Sequence, residues 1–456
     1  MNVHSRQSSR SQTGELTLWV IGVAATLLVV WIIVGGRDMG LLLVIALLIA
    51  FVVWLSKRLV SAADPWLARL IVLGFAAKLA GATARYLALV YIFGYGDATG
   101  YHTFAAGMAP FVRDLDLASV FDRLGNLSFG TNTTKIAVTF LYTPYIPSMY
   151  GGFLELATFS FMGQIGFYTA FRRWVPADRL KPYALGLFFL PTLLFWPSGI
   201  GKDALMIGAL GLAAAGFSAT LSSYRFRYML MGGLSLTLAT LVRPHVAMLM
   251  LGAVFIAMVF GRGPTAAQAR AKRLVVTGLI ALALLIGAPR AVQLIDLELS
   301  AEGFENLVGQ QADRTGQGGS QIQGEAVTSP VQFPSAMLRV LFRPLPTEAR
   351  SMETLLTSLE GIALLALTVV LAPRMVRRLK RGFRNPWVIV SGVYTVGFIV
   401  AFSTVLNLGI LARQRAQVLP LYVAFIIALG WRGDDLDGKP TTTAVPNHDL
   451  EATSVP

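Results

Sequence analysis

The residues of this chain best suited to chemistry are one carboxylate and a scattered set of cations, each bordered by apolar sequence. Asp97 stands in Gly94-Tyr95-Gly96-Asp97-Ala98-Thr99-Gly100-Tyr101-His102, directly after a long apolar run. Cations follow at Lys202 beside Asp203, at Arg243 in Arg243-Pro244-His245, at Arg339 and Arg343, and at Arg413 and Arg415. A positioned carboxylate, or an imidazole such as His102, can take a proton from a hydroxyl. Guanidinium and ammonium groups can hold an oxyanion as charge collects on it. Arg suits phosphate best, because its planar fork binds two oxygens and stays charged at an interface. The absence of cysteine excludes disulfides, thiolate nucleophiles and Cys-ligated metals.

Each of these residues also has a structural use. Asp97 can cap an interfacial helix, and Tyr101 and His102 can serve as interfacial hydrogen-bonding groups. In Phe195-Trp196-Pro197-Ser198-Gly199-Ile200-Gly201-Lys202-Asp203 the proline and glycines break a helix, so Lys202 and Asp203 open the next one, whose first amides favour an anion. Lys202 can equally snorkel while paired with Asp203. The spacing of a nucleotide P-loop is absent. Arg243 and His245, and likewise Arg413 and Arg415, sit in short connections where burial is costly without a partner. Arg339 and Arg343, four apart, share one helical face up to Pro344 and can grip an anion or snorkel. Lys78 and Arg85 share a stripe on one helix, with Glu155 as the expected partner of Arg85. Asp114-Leu115-Asp116 lies in an amphipathic segment, and Asp434-Asp435-Leu436-Asp437 lies in a polar tail. No metal ligands are therefore assigned and no cofactor is required, although a divalent ion stays open.

The elements that must position these groups are membrane helices. Of 456 residues, 55% are hydrophobic and 14% charged, and the mean hydropathy is +0.63, against roughly 25% charged in a soluble domain. About twelve apolar runs approach the roughly 20 residues of a span: 17–34, 39–56, 67–94, 150–171, 182–197, 203–220, 227–242, 246–260, 273–289, 354–373, 387–406 and 415–430. The stretch 182–220, with its break, reads either as two short spans or as one broken helix. Cytoplasmic loops carry excess Lys and Arg. One threading puts Arg6 and Arg10, Lys57-Arg58, Arg172-Arg173, Arg225 with Arg227, the run from Arg262 to Arg273, and Arg374–Arg384 on a single side. That places both termini in the cytoplasm, and the expected location is a bacterial inner (plasma) membrane. The net charge of +14 then meets anionic lipid, and nucleic-acid binding is unnecessary. The expected organisation is a cytoplasmic segment 1–16, a helical bundle 17–430 whose first run is a retained signal anchor, and a disordered cytoplasmic tail 431–456. Large external loops at 95–149 and 290–353 exceed what connection requires. Within the first, Phe104–Leu115 and Leu117–Leu124 have the spacing of helices lying flat on the membrane.

An Asp at the outer end of a span, followed by Tyr-His and flat juxtamembrane helices, resembles the first external loop of the GT-C superfamily of polyprenyl-phosphate-sugar glycosyltransferases. Here the loop follows the third span rather than the first. The resemblance implies that Asp97 is the catalytic base and that Lys202, Arg243, Arg413 and Arg415 hold the lipid phosphate. It also implies a lipid-linked sugar donor, an envelope glycan, lipid or protein as acceptor, and a site on the external face. The Arg339–Arg350 segment and Phe-Trp-Pro-Ser before Gly-Lys-Asp also resemble O-antigen or capsule polymerases and ligases, which move an oligosaccharide from a diphosphate carrier. A third class, a transporter or flippase, predicts a path through the midplane centred on Lys78 and Arg85.

Overall fold

In hydrocarbon a backbone amide has no water to turn to, which leaves apolar runs that lack strand-like alternation to fold as helices. In the computed structural model every regular element among the described residues is helical. The structure describes residues 38–60, 65–125, 130–223, 225–261, 330–349, 351–405 and 407–432, with isolated positions within 22–32 and at 278. The expected first span 17–34, the run 273–289, the Gly/Gln-rich part of the second loop, the terminal tail and Arg350 lie outside these residues.

The helices are α1 (Met39–Val60), α2 (Pro65–Ala88), α3 (Asp97–Arg113), α4 (Leu117–Leu124), α5 (Thr131–Tyr142), α6 (Met149–Arg172), α7 (Leu180–Phe189), α8 (Pro191–Phe195), α9 (Lys202–Ser223), α10 (Phe226–Val242), α11 (Pro244–Phe260), α12 (Phe333–Phe342), α13 (Met352–Gly382), α14 (Pro386–Phe402), α15 (Leu408–Gln414) and α16 (Leu419–Gly430). Their starts follow local chemistry. Ser148 accepts from the Gly151 amide at 2.9 Å, Asn385 from Trp387 at 3.0 Å and Asn407 from Ile410 at 3.1 Å, each satisfying a donor that the first turn leaves unpaired. Proline opens α11, α14 and α16, where its missing N–H costs nothing.

Among the described residues, three helices are long and apolar enough to cross a membrane: Trp66–Phe93, Lys202–Ser223 and Met352–Gly382. They become four if α15 and α16, bent by 62°, form one span. Of the twelve expected runs, 17–34 and 273–289 lie outside the described residues, and others fall short of a span by length or composition. Breaks shorten several runs: 182–197 folds as the ten-residue α7 and the five-residue α8, and α10 and α11 stop at 17 residues each on either side of Arg243-Pro244. At 1.5 Å per residue such helices reach about 26 Å, short of the roughly 30 Å hydrocarbon core. By contrast α6 has 24 residues but carries Glu155, Ser160 and Gln164, and it is buried along most of its length.

The bundle is built around α6 and α9. Gly163 and Gly166 face Gly208 and Gly211, and a Cβ on Gly163, Gly166 or Gly211 would overlap the opposing backbone. Gly216 meets Gly232 of α10 in the same way. Without a hydrophobic drive between helices in lipid, such close backbone approach supplies the van der Waals contact that holds them together. Around this pair, α2 packs on α6 and α7, α14 on α11 and α16, and α13 on α16. Outside it, α3 packs on α5 and α4. Arg113 anchors the end of α3 on the carbonyls of Thr143 and Tyr142, at 2.7 and 3.2 Å. Along α4, Val120 and Leu124 are buried while Leu117 and Phe121 are exposed, the one-sided pattern that the sequence predicts.

Candidate functional site

The site forms where four chain breaks meet at one end of the bundle. α2 runs on into a π turn, Leu89–Phe93, which contains no buried residue. Gly94 then adopts φ +71°, and Gly96 is the extended cap that starts α3 at Asp97. A π turn widens a helix locally, and such turns recur at functional positions. The Trp196–Gly201 break delivers Lys202 and Asp203, the α10–α11 break delivers Arg243, and α15 delivers Arg413.

Asp203 is the hub. It is 1% exposed, and the Arg413 Nε donates to its Oδ2. Arg243 Nη1 lies 2.8 Å from Oδ1, close but outside hydrogen-bond angles for both atoms, so this contact is chiefly electrostatic. A buried carboxylate between two guanidiniums is held by mutual need, since losing both partners would strand a charge at about 3–5 kcal/mol. Asp97 differs. Its side chain is 66% exposed and lies 3.6 Å from Arg413 Nη1, beyond hydrogen-bond range. It is thus free to accept a proton while remaining inside the field of the cluster.

Asp97, Arg85 and Arg413 line a cavity of about 320 Å³, together with Phe93, Trp196 and Glu353. Its volume is in the range of small-ligand sites. Lys202 is not in its wall. Its Nζ donates instead to Thr131 Oγ1 at 2.9 Å. Burial, reinforced by the nearby Asp97 carboxylate, raises the Tyr101 phenol above its ordinary value.

The other expected residues lie elsewhere. His102 Nδ1 is 2.9 Å from the Tyr142 hydroxyl, and burial pushes the ring below its usual 6.5. His245 is exposed, its ring 5.7 Å from that of Phe402. Arg339 is buried and donates to the Ser403 carbonyl at 3.0 Å. Arg343 pairs with Glu348. Arg415, fully buried, donates to the carbonyls of Leu341 at 2.9 Å and Thr357 at 3.1 Å and pairs with Glu360 at 3.4 Å. Arg339, Arg343 and Arg415 are therefore engaged by the fold itself.

Glu155, expected opposite Arg85, accepts from the Tyr145 hydroxyl, while the Arg85 guanidinium sits 5.9 Å from the Trp196 ring. Trp196 and Glu353 are the lining residues that sequence reasoning overlooked. Trp196 had a signal, since it lies in the helix break just before Lys202; Glu353, in the first turn of α13, had none. Among the described residues no group of three or more His, Asp or Glu is placed to hold a metal ion. No protein-family model, curated protein or solved structure matches the chain.

Proposed function

We propose that the protein is an integral-membrane glycosyltransferase that moves a sugar from a polyprenyl-phosphate donor to an envelope acceptor on the external face of a bacterial inner membrane. The observation that carries this reading is the cavity lined by exposed Asp97 with Arg85 and Arg413 at the end of α2, with the apolar Leu89 and Phe93 in its wall. In the step envisaged, the acceptor hydroxyl oxygen bonds to the anomeric carbon as the bond from that carbon to the phosphate oxygen breaks. Asp97 takes the hydroxyl proton, and the carrier leaves as its phosphate, held by the cations.

Two observations favour this over the other classes. Arg339 and Arg343, the cationic face on which a polymerase reading rests, are bound to the Ser403 carbonyl and to Glu348. A transport path centred on Lys78 and Arg85 needs Lys78 available, whereas its Nζ is buried and donates to the Leu193 carbonyl at 2.6 Å.

The test is purified full-length protein in nanodiscs with a panel of polyprenyl-linked sugars. Wild type should transfer at least one of them, and Asp97→Asn should lower the rate by roughly 10²–10⁴-fold with an unchanged thermal midpoint. Full activity in Asp97→Asn would remove the base assignment, and no transfer from any donor would remove the transferase reading.

A further inference from the structure

Arg85 is a side chain with an unpaired buried donor that also lines the cavity. It enters the cavity from α2, and its Nη1 is sealed from solvent with no hydrogen-bond partner. The carboxylates of Asp203, Asp97 and Glu353 act on it electrostatically, yet none forms an ion pair with it among the described residues. Asp203 is already taken up by Arg413 and Arg243. Arg85 thus lines the cavity without an ion-pair partner among the described residues, so an anionic ligand entering the cavity is its natural complement.

The geometry around it is amphiphilic. Trp196 stands beside the guanidinium, and Arg413 and the apolar Leu89 and Phe93 of the π turn line the same cavity. Phe93 is 56% exposed, and on the outer side Tyr91 and Ile92 are 79% and 75% exposed. The polar floor thus adjoins a surface open to acyl or isoprenyl chains.

We infer that Arg85 and Arg413 together clamp the phosphate of a lipid monophosphate whose first chain segment lies along Leu89 and Phe93, and that Asp203 is the positioning residue that orients Arg413. This assignment rests on the lipid-phosphate reading above, and it names the residues that confer it. It also moves the phosphate site away from Lys202, Arg243 and Arg415. Arg is suited to the task because its fork can meet two phosphate oxygens while stacking on an indole.

The experiment titrates full-length protein in phosphatidylcholine nanodiscs with farnesyl phosphate, farnesol and inorganic phosphate, following binding calorimetrically. Wild type should bind farnesyl phosphate at least roughly tenfold more tightly than either partial ligand. Arg85→Gln should weaken farnesyl phosphate about tenfold or more, with Arg85→Lys recovering part of the loss. Phe93→Ala should weaken farnesyl phosphate and leave inorganic phosphate unchanged, which reports on the chain's place along the π turn even if Arg85→Gln does not fold. Equal farnesyl phosphate affinity in Arg85→Gln and wild type would overturn the clamp and leave the lipid-phosphate reading standing. Farnesol binding as tightly as farnesyl phosphate to wild type would overturn both. Inorganic phosphate binding as tightly as farnesyl phosphate would overturn the chain's place on the π turn.

Discussion

Arg413 and Arg415 are two residues apart and lead opposite lives. Arg415 sits in the bend between α15 and α16, where the ends of other elements converge, and its two terminal nitrogens are taken by the carbonyls of Leu341, Arg343 and Thr357, by Thr192 and by Glu360. Arg413 has carboxylates as its partners, one buried and one exposed, and part of its side chain faces open space. The residue type is the same, and the difference lies in the supply of acceptors. Where helix ends offer carbonyls, a guanidinium becomes a fastener. Where a single carboxylate anchors it beside a cavity, capacity remains for something from outside.

The harshest way to break this comparison is Arg415→Ala. It would leave Glu360 buried and unpaired except for the Thr192 amide at 2.6 Å. The expected loss is about 3–5 kcal/mol, a large share of a typical folding free energy, read as a lowered thermal midpoint and poor recovery from detergent. An Arg415→Met, Glu360→Leu double variant should regain much of that loss, since a packed apolar pair avoids the desolvation cost. Wild-type stability in Arg415→Ala would erase the distinction between the two arginines.

Arg413→Gln should behave in the opposite sense. Asp203 keeps Arg243, so the fold should be perturbed less than in Arg415→Ala, while affinity for a phosphate-bearing lipid should fall by about ten- to a hundredfold. Binding isotherms and thermal midpoints measured on the same preparations decide it. A variant that unfolds early yet binds normally would assign Arg413 to structure after all.

That divergence shows where sequence reasoning reaches its limit. Local signals were legible. Pro197, Gly199 and Gly201 predict a break and a fresh helix near 203, and α9 starts at Lys202. The period in Leu117–Leu124 predicts an amphipathic helix, and α4 occupies those residues. What Lys78 and Arg85 would meet was not legible, although they share a stripe on α2. Lys78 is met by the Leu193 carbonyl, freed for it because α8 is a five-residue helix, and Arg85 is met by Trp196. Both partners come from the same break more than a hundred residues away. Spacing along one helix carries no information about which distant chain end supplies an acceptor. The number of spans is not legible from composition for a related reason: apolar composition marks burial, and burial inside a bundle, as for α7 and α8, looks the same as burial in lipid.

The smallest expected effect comes from a third arginine pair, between the two extremes. Arg343 and Glu348 are both partly exposed, with side-chain accessibilities of 26% and 22%, and the pair lies outside the membrane-crossing helices. Arg343 Nε donates to Glu348 Oε2 at 3.1 Å, and the Leu345 amide donates to the same oxygen at 2.7 Å. Hydrogen bonding from Arg343 is the main reason the carboxyl is held below its ordinary 4.5. A lowered carboxylate value in the folded state means that the unfolded chain takes up the proton first. The stabilisation should therefore be complete above about pH 4.5 and decline as pH falls through the lowered native value. Because solvent screens the pair, it should amount to less than about 1 kcal/mol. Glu348→Gln should accordingly lower the thermal midpoint slightly at neutral pH and match wild type in strong acid. A gap that stays constant on acidification would show that the Leu345 contact, which Gln can keep, matters more than the charge.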